Sequence, residues 1–261
     1  MRNPAYAAAQ RVYGVGLRTL YARTGMPWRV HDEIIRIDPR VRHLVPHDSE
    51  TRLFAFLKHH INPGDVVFDV GSFLGVYAIL ASRLAGPRGR VVAIEPTASS
   101  AAVARRHVAF NAEVTAAPVI LVEAAAGERR GDAVFYEYDQ PYVNALTPAV
   151  DVNGRARNRV VDVMTIDELC DQMKIRPTFI RMDVQGAEFQ ALRGARRTIA
   201  AMGSQLTIVA EMHPQCWPSL AIDEAHARET IDALRLCASS LEPESDLFAR
   251  DGHIVLRQRP A

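Results

Sequence analysis

The chain has few cysteines, almost no lysine and no long uninterrupted apolar segment. Of its 31 Lys and Arg residues, only Lys58 and Lys174 are lysine, a bias that together with many alanines is typical of a high-GC bacterial genome. Cys170, Cys216 and Cys237 are odd in number and form no CxxC pair. This excludes a disulfide framework and predicts a reducing, cytoplasmic compartment.

The apolar residues near the N-terminus are interrupted too often for a membrane span. Arginines stand among them at positions 2, 11, 18 and 23, so we expect neither a transmembrane helix nor a secretory leader, but an amphipathic cap helix. The formal net charge is +1, and the arginines form no stripe. We therefore expect no nucleic-acid partner.

From about residue 61 the sequence alternates between short apolar runs and helical segments. The apolar runs are VVFDV (66–70), RVVAIEP (90–96), VILVEA (119–124), TFIRMDV (178–184) and LTIVAEM (206–212). Helix-like stretches cover 74–85, 98–111 and 186–202. Continuous apolar runs separated by helices predict an α/β fold with a mostly parallel sheet covered on both faces. We divide the chain into a helical N-terminal cap, 1–60, and the α/β domain, 61–261.

Three segments depart from this alternation. The cap is expected to end in a helix at SETRLFAFLKHHI (49–61), capped by Ser49. Residues 132–139 and 159–165 alternate like a pair of exposed strands. SDLFARDGHIVLRQ (245–258) places an Asp-Gly pair between two strand-like runs, which predicts a terminal antiparallel hairpin.

The first apolar run leads into an unusual glycine turn. Asp69, Gly71 and Gly75 follow one another with Phe73 where the dinucleotide-binding fingerprint G-x-G-x-x-G has a second close-approach glycine. That spacing argues against a nicotinamide-dependent dehydrogenase. Gly71 and Gly75 would let the backbone pass close to a ligand, and Ser72 lies between them.

Acidic residues stand at the end of each of the five runs. In an open α/β sheet these ends form the ligand-binding edge, where a pyrophosphate would be disfavoured. S-adenosylmethionine, with its ammonium group, sulfonium and ribose diol, suits such an edge. Glu95 would accept hydrogen bonds from the diol, Pro96 would stiffen the turn beneath the adenine, and Asp69 would offset the positive charge. Alternatively, Asp69 and Glu95 only cap the following helices. The strand-end residues are Asp69, Glu95, Glu123, Asp183 and Glu211.

Several blocks of the sequence resemble the FkbM family of S-adenosylmethionine-dependent methyltransferases. They are VVFDVGSFLGVYAILAS, VVAIEPTASSAAVARRHVAFNA, FIRMDVQGAEFQALRGA and VAEMHP. The resemblance implies a class I, Rossmann-like methyltransferase fold, here with a seven-stranded sheet, and O-methylation of sugars or natural-product hydroxyls. The chain departs from the family pattern at Gln185, where Glu is usual, and at Phe73, where Asn is common.

Catalytic residues are expected at the same edge of the sheet. Asp183 is the first candidate for a general base or metal ligand, His213 is an alternative base, and Glu211 could share a Mg²⁺ ion with Asp183. Tyr142 and Asn144, in FYEYDQPYVNAL, could bind a sugar or polyketide acceptor, or belong to a surface hairpin. Methyl transfer to nitrogen or carbon, a catalytically silent binding module and a homodimer contact through the cap remain alternatives.

Overall fold

The structure is a computed structural model that describes residues 13–45, 47–138, 144–146, 157–242 and 247–259. In chain order its strands are β1 (Met26–Val30), β2 (Glu33–Ile37), β3 (Val66–Val70), β4 (Arg90–Ile94), β5 (Val119–Val122), β6 (Ala125–Ala126), β7 (Gly131–Glu137), β8 (Arg157–Met164), β9 (Phe179–Met182), β10 (Thr207–Met212), β11 (Leu236–Ser240) and β12 (Gly252–Gln258). The α-helices are α1 (13–20), α2 (Thr51–His60), α3 (Val76–Ala85), α4 (Ala98–Phe110), α5 (Ile166–Met173), α6 (Glu188–Arg193), α7 (Arg196–Met202) and α8 (Glu224–Ala233).

The main sheet has seven strands in the order β5-β4-β3-β9-β10-β12-β11. Strands β5, β4, β3, β9 and β10 pair in parallel, while β12 runs antiparallel to both β10 and β11. The predicted mostly parallel, seven-stranded α/β fold is confirmed. Strand β3 lies between β4 and β9, and the strand order reverses between β3 and β9. This switch point places a ligand-binding crevice at the carboxyl ends of these strands.

Side chains of the central strands are buried on both faces of the sheet. Along β3, Val67 packs in the cluster that contains Leu53 and Leu57 of α2, whereas Phe68 and Val70 pack in the cluster that contains Phe189 of α6. Each fully buried side chain of this kind contributes roughly 1.5–3 kcal/mol relative to exposure. Burial on both faces explains why β3 reads as an unbroken apolar run.

The N-terminal region contains a strand pair that the sequence pattern did not predict. Strands β1 and β2 form an antiparallel hairpin, and Ile35 and Ile37 pack with Ile79 and Leu80 of α3. Helix α2 is confirmed, but Ser49 is not its N-cap. Glu50 takes that position in the left-handed region, with φ 53°, and makes no side-chain capping bond.

The predicted domain boundary at residue 60 remains a prediction. Hydrophobic clusters contain side chains from both sides of it. Among the described residues, no helix is both long and apolar enough to cross a membrane.

The terminal hairpin exists, but its first arm was predicted wrongly. Strand β12 pairs with β11, so the Asp251-Gly252 pair only begins β12 and does not join two adjacent arms. Residues 247–250 turn inward instead, because Phe248 is buried against Phe189 and Trp217, with ring centroids 6.3 and 6.0 Å away.

The predicted helix over 186–202 is two helices, α6 and α7. The break is at Gly194, where a Cβ would lie 2.0 Å from the carbonyl oxygen of Gly127. The Asp167 carboxylate then accepts the backbone N–H groups of Arg197 and Thr198 at the start of α7. The helix is therefore divided at the close approach of Gly194 to Gly127, and the Asp167 carboxylate satisfies the free N–H groups at the start of α7.

The exposed strand pair predicted between the third and fourth runs is confirmed. Strands β7 and β8 pair antiparallel and, with β6, form a separate three-stranded sheet. This small sheet lies next to the carboxyl edge of the main sheet, since β6 follows β5 after two residues.

Candidate active site

Two open cavities meet at the carboxyl edge of the main sheet. The first, of about 650 Å³, is lined by Glu95, Pro96 and Leu146 among others. The second, of about 700 Å³, reaches the N-terminal hairpin through Val30 and the start of α2. Three residues line both cavities and therefore mark their junction: Gly71, Phe73 and Asp183.

The glycine turn is shaped by packing between strands. Gly71 has φ 79°, and a Cβ on it would lie 1.8 Å from the carbonyl oxygen of Asp183. Gly75 has φ 75°, and its Cβ would lie 3.0 Å from that of Ala104 in α4. From the sequence, these glycines were expected to allow the close approach of a ligand. The structure supplies a different reason, which is the contact of the turn with the end of β9 and with α4.

Phe73 adopts a conformation that is unusual for an aromatic residue. Its φ is 50°, in the left-handed region, where Asn is several-fold enriched. Its backbone N–H donates to Glu95 Oε2 at 2.9 Å, so the turn is tied to the end of β4. The backbone at this position thus suits the Asn of the family pattern, and Phe73, which occupies it here, lines both cavities.

Glu95 is buried and already holds the surrounding backbone. Besides Phe73, its carboxylate accepts the N–H and the hydroxyl of Thr97. Burial raises the pKa of Glu95 to about 7, although the bonds from Thr97 and Phe73 oppose the shift. Two carboxylate oxygens offer about four acceptor positions, so capacity remains for a diol in the first cavity.

Two buried polar atoms beneath the glycine turn have no hydrogen-bond partner within the described part of the chain. They are Asp69 Oδ2 and Ser72 Oγ. Burial raises the pKa of Asp69 to about 6, against the effect of Arg181. Ser72 lines the second cavity. Unpaired buried polar atoms cost free energy, so a polar ligand group at the turn would stabilise this arrangement.

Arg181, in the middle of β9, organises the junction, although no sequence pattern pointed to it. Its guanidinium donates to Asp183 Oδ2 at 2.9 Å and to the carbonyl oxygen of Gly71 at 3.0 Å, and lies 3.4 Å from Asp69 Oδ1. It also stacks over the Tyr77 ring at 4.8 Å. One buried cation thereby positions the glycine turn and Asp183 together.

A chain of hydrogen bonds leads from Asp183 into the core. The amide nitrogen of Gln185 lies 2.9 Å from both Asp183 Oδ1 and His213 Nε2. On its other side, His213 Nδ1 lies 2.9 Å from Glu188 Oε1, and Trp217 donates to Glu188 Oε2 at 3.0 Å. Glu188 belongs to the block that resembles the FkbM family, but its position in the sequence did not single it out as functional.

The charges around His213 favour the protonated ring, whereas the Gln185 amide nitrogen faces the neutral one. Burial lowers the pKa of His213, but the hydrogen bond to Glu188 and the charges of Glu188, Asp183 and Glu211 outweigh burial and raise the pKa to about 9. A proton on Nε2 would face the amide nitrogen of Gln185, so the hydrogen bonds seen here belong to the neutral ring, with its proton on Nδ1 directed at Glu188. His213 lines neither cavity, and Asp183 is therefore the better placed base.

The Mg²⁺ site expected between Asp183 and Glu211 does not fit this geometry. Arg181 and Gln185 hold the two Asp183 oxygens with N–H groups. The Gln185 amide also fills the space between Asp183 and His213, whose nearest ligand atoms are 3.9 Å apart. Burial and the charge of Asp183 raise the pKa of Glu211 to about 7.

The remaining predicted site residues have different outcomes. Glu123 is half-exposed and pairs with Arg105 of α4, which gives no support to a role in cofactor binding. Asn144 lines the first cavity, and its side-chain oxygen accepts the backbone N–H of Tyr138 at 2.7 Å. Tyr142 lies outside the described residues.

Comparison with known proteins places the chain in a family. The model of the methyltransferase FkbM domain matches residues 69–235, which is more than half of the chain. The chain belongs to the FkbM methyltransferase family. It is an S-adenosylmethionine-dependent methyltransferase, and two of the three junction residues, Gly71 and Asp183, follow the family pattern, while Phe73 departs from it.

Solved structures resemble this FkbM methyltransferase at low sequence identity. A protein from Clostridium thermocellum assigned as an rRNA methylase is 8% identical, with a TM-score of 0.53, and the match covers 82% of this chain and 97% of that chain. This likeness bears on the fold alone. The precorrin-6y C5,15-methyltransferase of Geobacter metallireducens GS-15 is 16% identical, with a TM-score of 0.48 and coverage of 82% and 90%. No curated protein sequence matches the chain.

Proposed function

We propose that this FkbM methyltransferase transfers the methyl group of S-adenosylmethionine to a hydroxyl group of a sugar or natural-product acceptor. The observation that carries the proposal is the carboxylate of Asp183 at the junction of the two cavities, where a ligand in either cavity borders it. A carboxylate can accept the hydrogen bond of a hydroxyl and then its proton.

The residues around the junction fit the cofactor. Glu95 offers acceptors for the ribose hydroxyls in the first cavity, whose apolar wall includes Pro96 and Leu146. Ser72, whose hydroxyl has no hydrogen-bond partner among the described residues, suits the amino-acid end in the second cavity. When bound, the cofactor supplies a methyl group activated by a positively charged sulfur.

The chain's own residues would orient the acceptor and receive its proton. Arg181 fixes the Asp183 carboxylate by the 2.9 Å bond to Oδ2, and Oδ1, which accepts the Gln185 amide, keeps a further acceptor position for a hydroxyl. Orientation and exclusion of water can lower a barrier by roughly 7–11 kcal/mol, and a general base adds typically about 10²–10⁴-fold in rate. Gln185 and His213 would hold Asp183 in place from behind.

The two departures from the family pattern do not favour a catalytically silent module. Phe73 donates its backbone N–H to Glu95, and Gln185 donates to Asp183. Both residues are thus integrated into the site that the family residues form. Neither transfer to nitrogen nor transfer to carbon has an observation of its own in its favour.

Replacement of Asp183 tests the proposal. In Asp183→Asn the amide is no longer a proton acceptor of useful basicity, so we expect turnover with a hydroxyl acceptor to fall about 10²–10⁴-fold. Affinity for S-adenosylhomocysteine should change by less than a few-fold. Release of S-adenosylhomocysteine from the enzyme with a panel of glycosides and hydroxylated polyketides measures turnover, and mass spectrometry locates the methyl group on oxygen, nitrogen or carbon.

Asp132→Asn, in the exposed strand β7, is the matched control and should leave turnover unchanged. Unchanged turnover in Asp183→Asn would contradict the role of Asp183. A product methylated on nitrogen or carbon would contradict the proposed acceptor class while leaving the cofactor site intact.

A further inference from the structure

Glu50, Glu211 and His253 form a second cluster beside the cavity junction. They come from three separate elements, the start of α2, strand β10 and strand β12, and one ligand atom of each lies within 4.8 Å of the other two. Nε2 of His253 is 3.2 Å from Glu50 Oε1 and 3.8 Å from Glu211 Oε2. Of these three residues, only Glu211 was expected from the sequence to have a functional role.

Neighbouring groups fix the orientation of two of these side chains. Glu242 Oε1 lies 3.4 Å from Nδ1 of His253, and Glu242 Oε2 accepts the backbone N–H of His253 at 3.0 Å. The Tyr77 hydroxyl donates to Glu50 Oε2 at 2.6 Å, which leaves Oε1 for the cluster. A histidine held by a carboxylate on one ring nitrogen, with the other nitrogen directed at further ligands, is the usual arrangement around protein-bound metals.

The facing nitrogen of His253 has carboxylates at ion-pair distance but no hydrogen bond of good geometry among the described residues. His253 is 7% exposed, and within the described part of the chain its Nε2 makes no hydrogen bond, although two carboxylate oxygens lie near it. Its Nε2 therefore points into the cluster, where Glu50 Oε1 lies at ion-pair distance but outside hydrogen-bond geometry. Ligand atoms about 2.0–2.1 Å from a tetrahedral ion are roughly 3.4 Å apart, and the two observed separations bracket that spacing.

The neighbouring group of Asp183, Glu211 and His213 has ligand atoms at a similar spacing but lacks room for an ion. The Gln185 amide nitrogen occupies the position between Asp183 and His213, 2.9 Å from each. The structure describes no amide in the equivalent position between Glu50 and His253. Glu211 has one oxygen near each histidine, because Oε1 is 3.8 Å from His213 Nε2 and Oε2 is 3.8 Å from His253 Nε2.

We propose that Glu50, Glu211 and His253 bind one divalent transition-metal ion, of the Zn²⁺ or Mn²⁺ type. One imidazole and two carboxylates are a donor set that such ions accept, whereas Mg²⁺ prefers oxygen ligands and water. Three protein ligands leave coordination positions for water or an acceptor oxygen. The last point rests on the proposed function, but binding of the ion itself does not.

Metal titration of the purified full-length protein tests the site without cofactor or acceptor. After dialysis against a chelator, Co²⁺ is titrated while its visible absorption is followed, and bound Zn²⁺ is counted by mass spectrometry in a parallel sample. Wild type should bind one ion per chain. His253→Gln and Glu50→Gln should each weaken affinity by at least about 100-fold, and Glu242→Gln by about 10-fold.

Two control variants locate the ion. His226 lies on the surface beside Asp223, so His226→Gln removes an exposed histidine–carboxylate pair and should not change affinity. His213→Gln should keep affinity within a few-fold of wild type. Melting in chelator checks that each variant is folded. If His253→Gln is not folded, Glu50→Gln and Glu242→Gln decide.

Three results would overturn the site: no binding to wild type at millimolar Co²⁺, binding unchanged in Glu50→Gln and His253→Gln, or loss of binding in His213→Gln alone. Because the titration contains neither cofactor nor acceptor, it measures metal binding independently of the proposed methyl transfer. A failure of the proposed function would therefore not change the metal result.

Discussion

Glu95 holds the surrounding backbone and is also the proposed acceptor of the ribose hydroxyls. The pH dependence of ligand binding distinguishes these two roles. Burial raises the pKa of Glu95 to about 7, so in the free protein the carboxyl becomes protonated as the pH falls below 7. Ribose hydroxyls donate to the ionised form, which means that nucleoside affinity should be full above pH 7 and should fall below it. The bonds from Phe73 and Thr97 persist in either state as long as an oxygen can accept them.

We expect Glu95→Gln to weaken binding of methylthioadenosine about 10–100-fold, since a hydrogen bond to a charged group contributes about 1.5–3 kcal/mol. Wild-type affinity should fall roughly tenfold between pH 8 and pH 6, and the variant should show a flat profile. Methylthioadenosine is chosen because it carries the ribose diol without a titrating amino-acid end. An equally steep pH profile in the variant would assign the titration to another group.

Gly71 is required by the fold itself. Gly71→Ala places a Cβ against the Asp183 carbonyl at a φ of 79°, so backbone strain and overlap add. We expect a loss of more than about 3 kcal/mol in the free energy of unfolding. Gly64→Ala is the matched control, because Gly64 has φ 101° but a Cβ added there would have no atom within 4 Å. Denaturant unfolding compares the two variants. Equal losses of unfolding free energy would show that backbone strain, and not overlap with Asp183, destabilises Gly71→Ala.

At the scale of elements, two peripheral pieces complete the cavities of the central sheet. The small sheet supplies Phe135 to the first cavity, and the segment between β7 and β8 supplies Leu146. The N-terminal hairpin and the residues after it supply Val30 and Leu44 to the second. The fold of the main sheet therefore provides the junction, and the added elements provide the outer walls.

A pair of cavity-filling variants tests this division. Leu146→Trp should weaken both methylthioadenosine and S-adenosylhomocysteine, because it fills the first cavity. Leu44→Trp should leave methylthioadenosine binding near wild type but weaken S-adenosylhomocysteine and slow turnover. Calorimetric affinities for the two ligands distinguish these outcomes. The same loss pattern in both variants would contradict the assignment of separate cavities to the two ends of the cofactor.

Element prediction from the sequence succeeded where both faces of a strand are buried. Strand β3 was predicted with its observed bounds because its apolar run is continuous. Strands β1 and β2 were missed because Arg29 interrupts the apolar residues of β1, and the exposed but apolar Ile34 hides the alternation of buried and exposed positions in β2. Helix α5 carried a detectable signal, since Thr165 and Glu168 form a capping box at its start.

At the scale of the whole molecule, the sequence allowed the carboxyl edge of the sheet to be predicted, but not the contacts between residues that are distant in the chain. Glu95 and Asp183 were found because each follows an apolar run. Arg181 was not, because its contacts with Asp69 and Gly71 depend on β9 lying beside β3, and the residues are more than a hundred positions apart. Glu50 and His253 likewise meet only after α2 and β12 have packed against β10.

The central claim is that the two cavities form one S-adenosylmethionine site. Calorimetric titration of S-adenosylhomocysteine into the wild-type protein, with NAD as the control ligand, tests it most directly. Micromolar binding of S-adenosylhomocysteine at one site per chain, with no heat from NAD, is the predicted result. Absence of S-adenosylhomocysteine binding, or equal binding of NAD, would contradict the account.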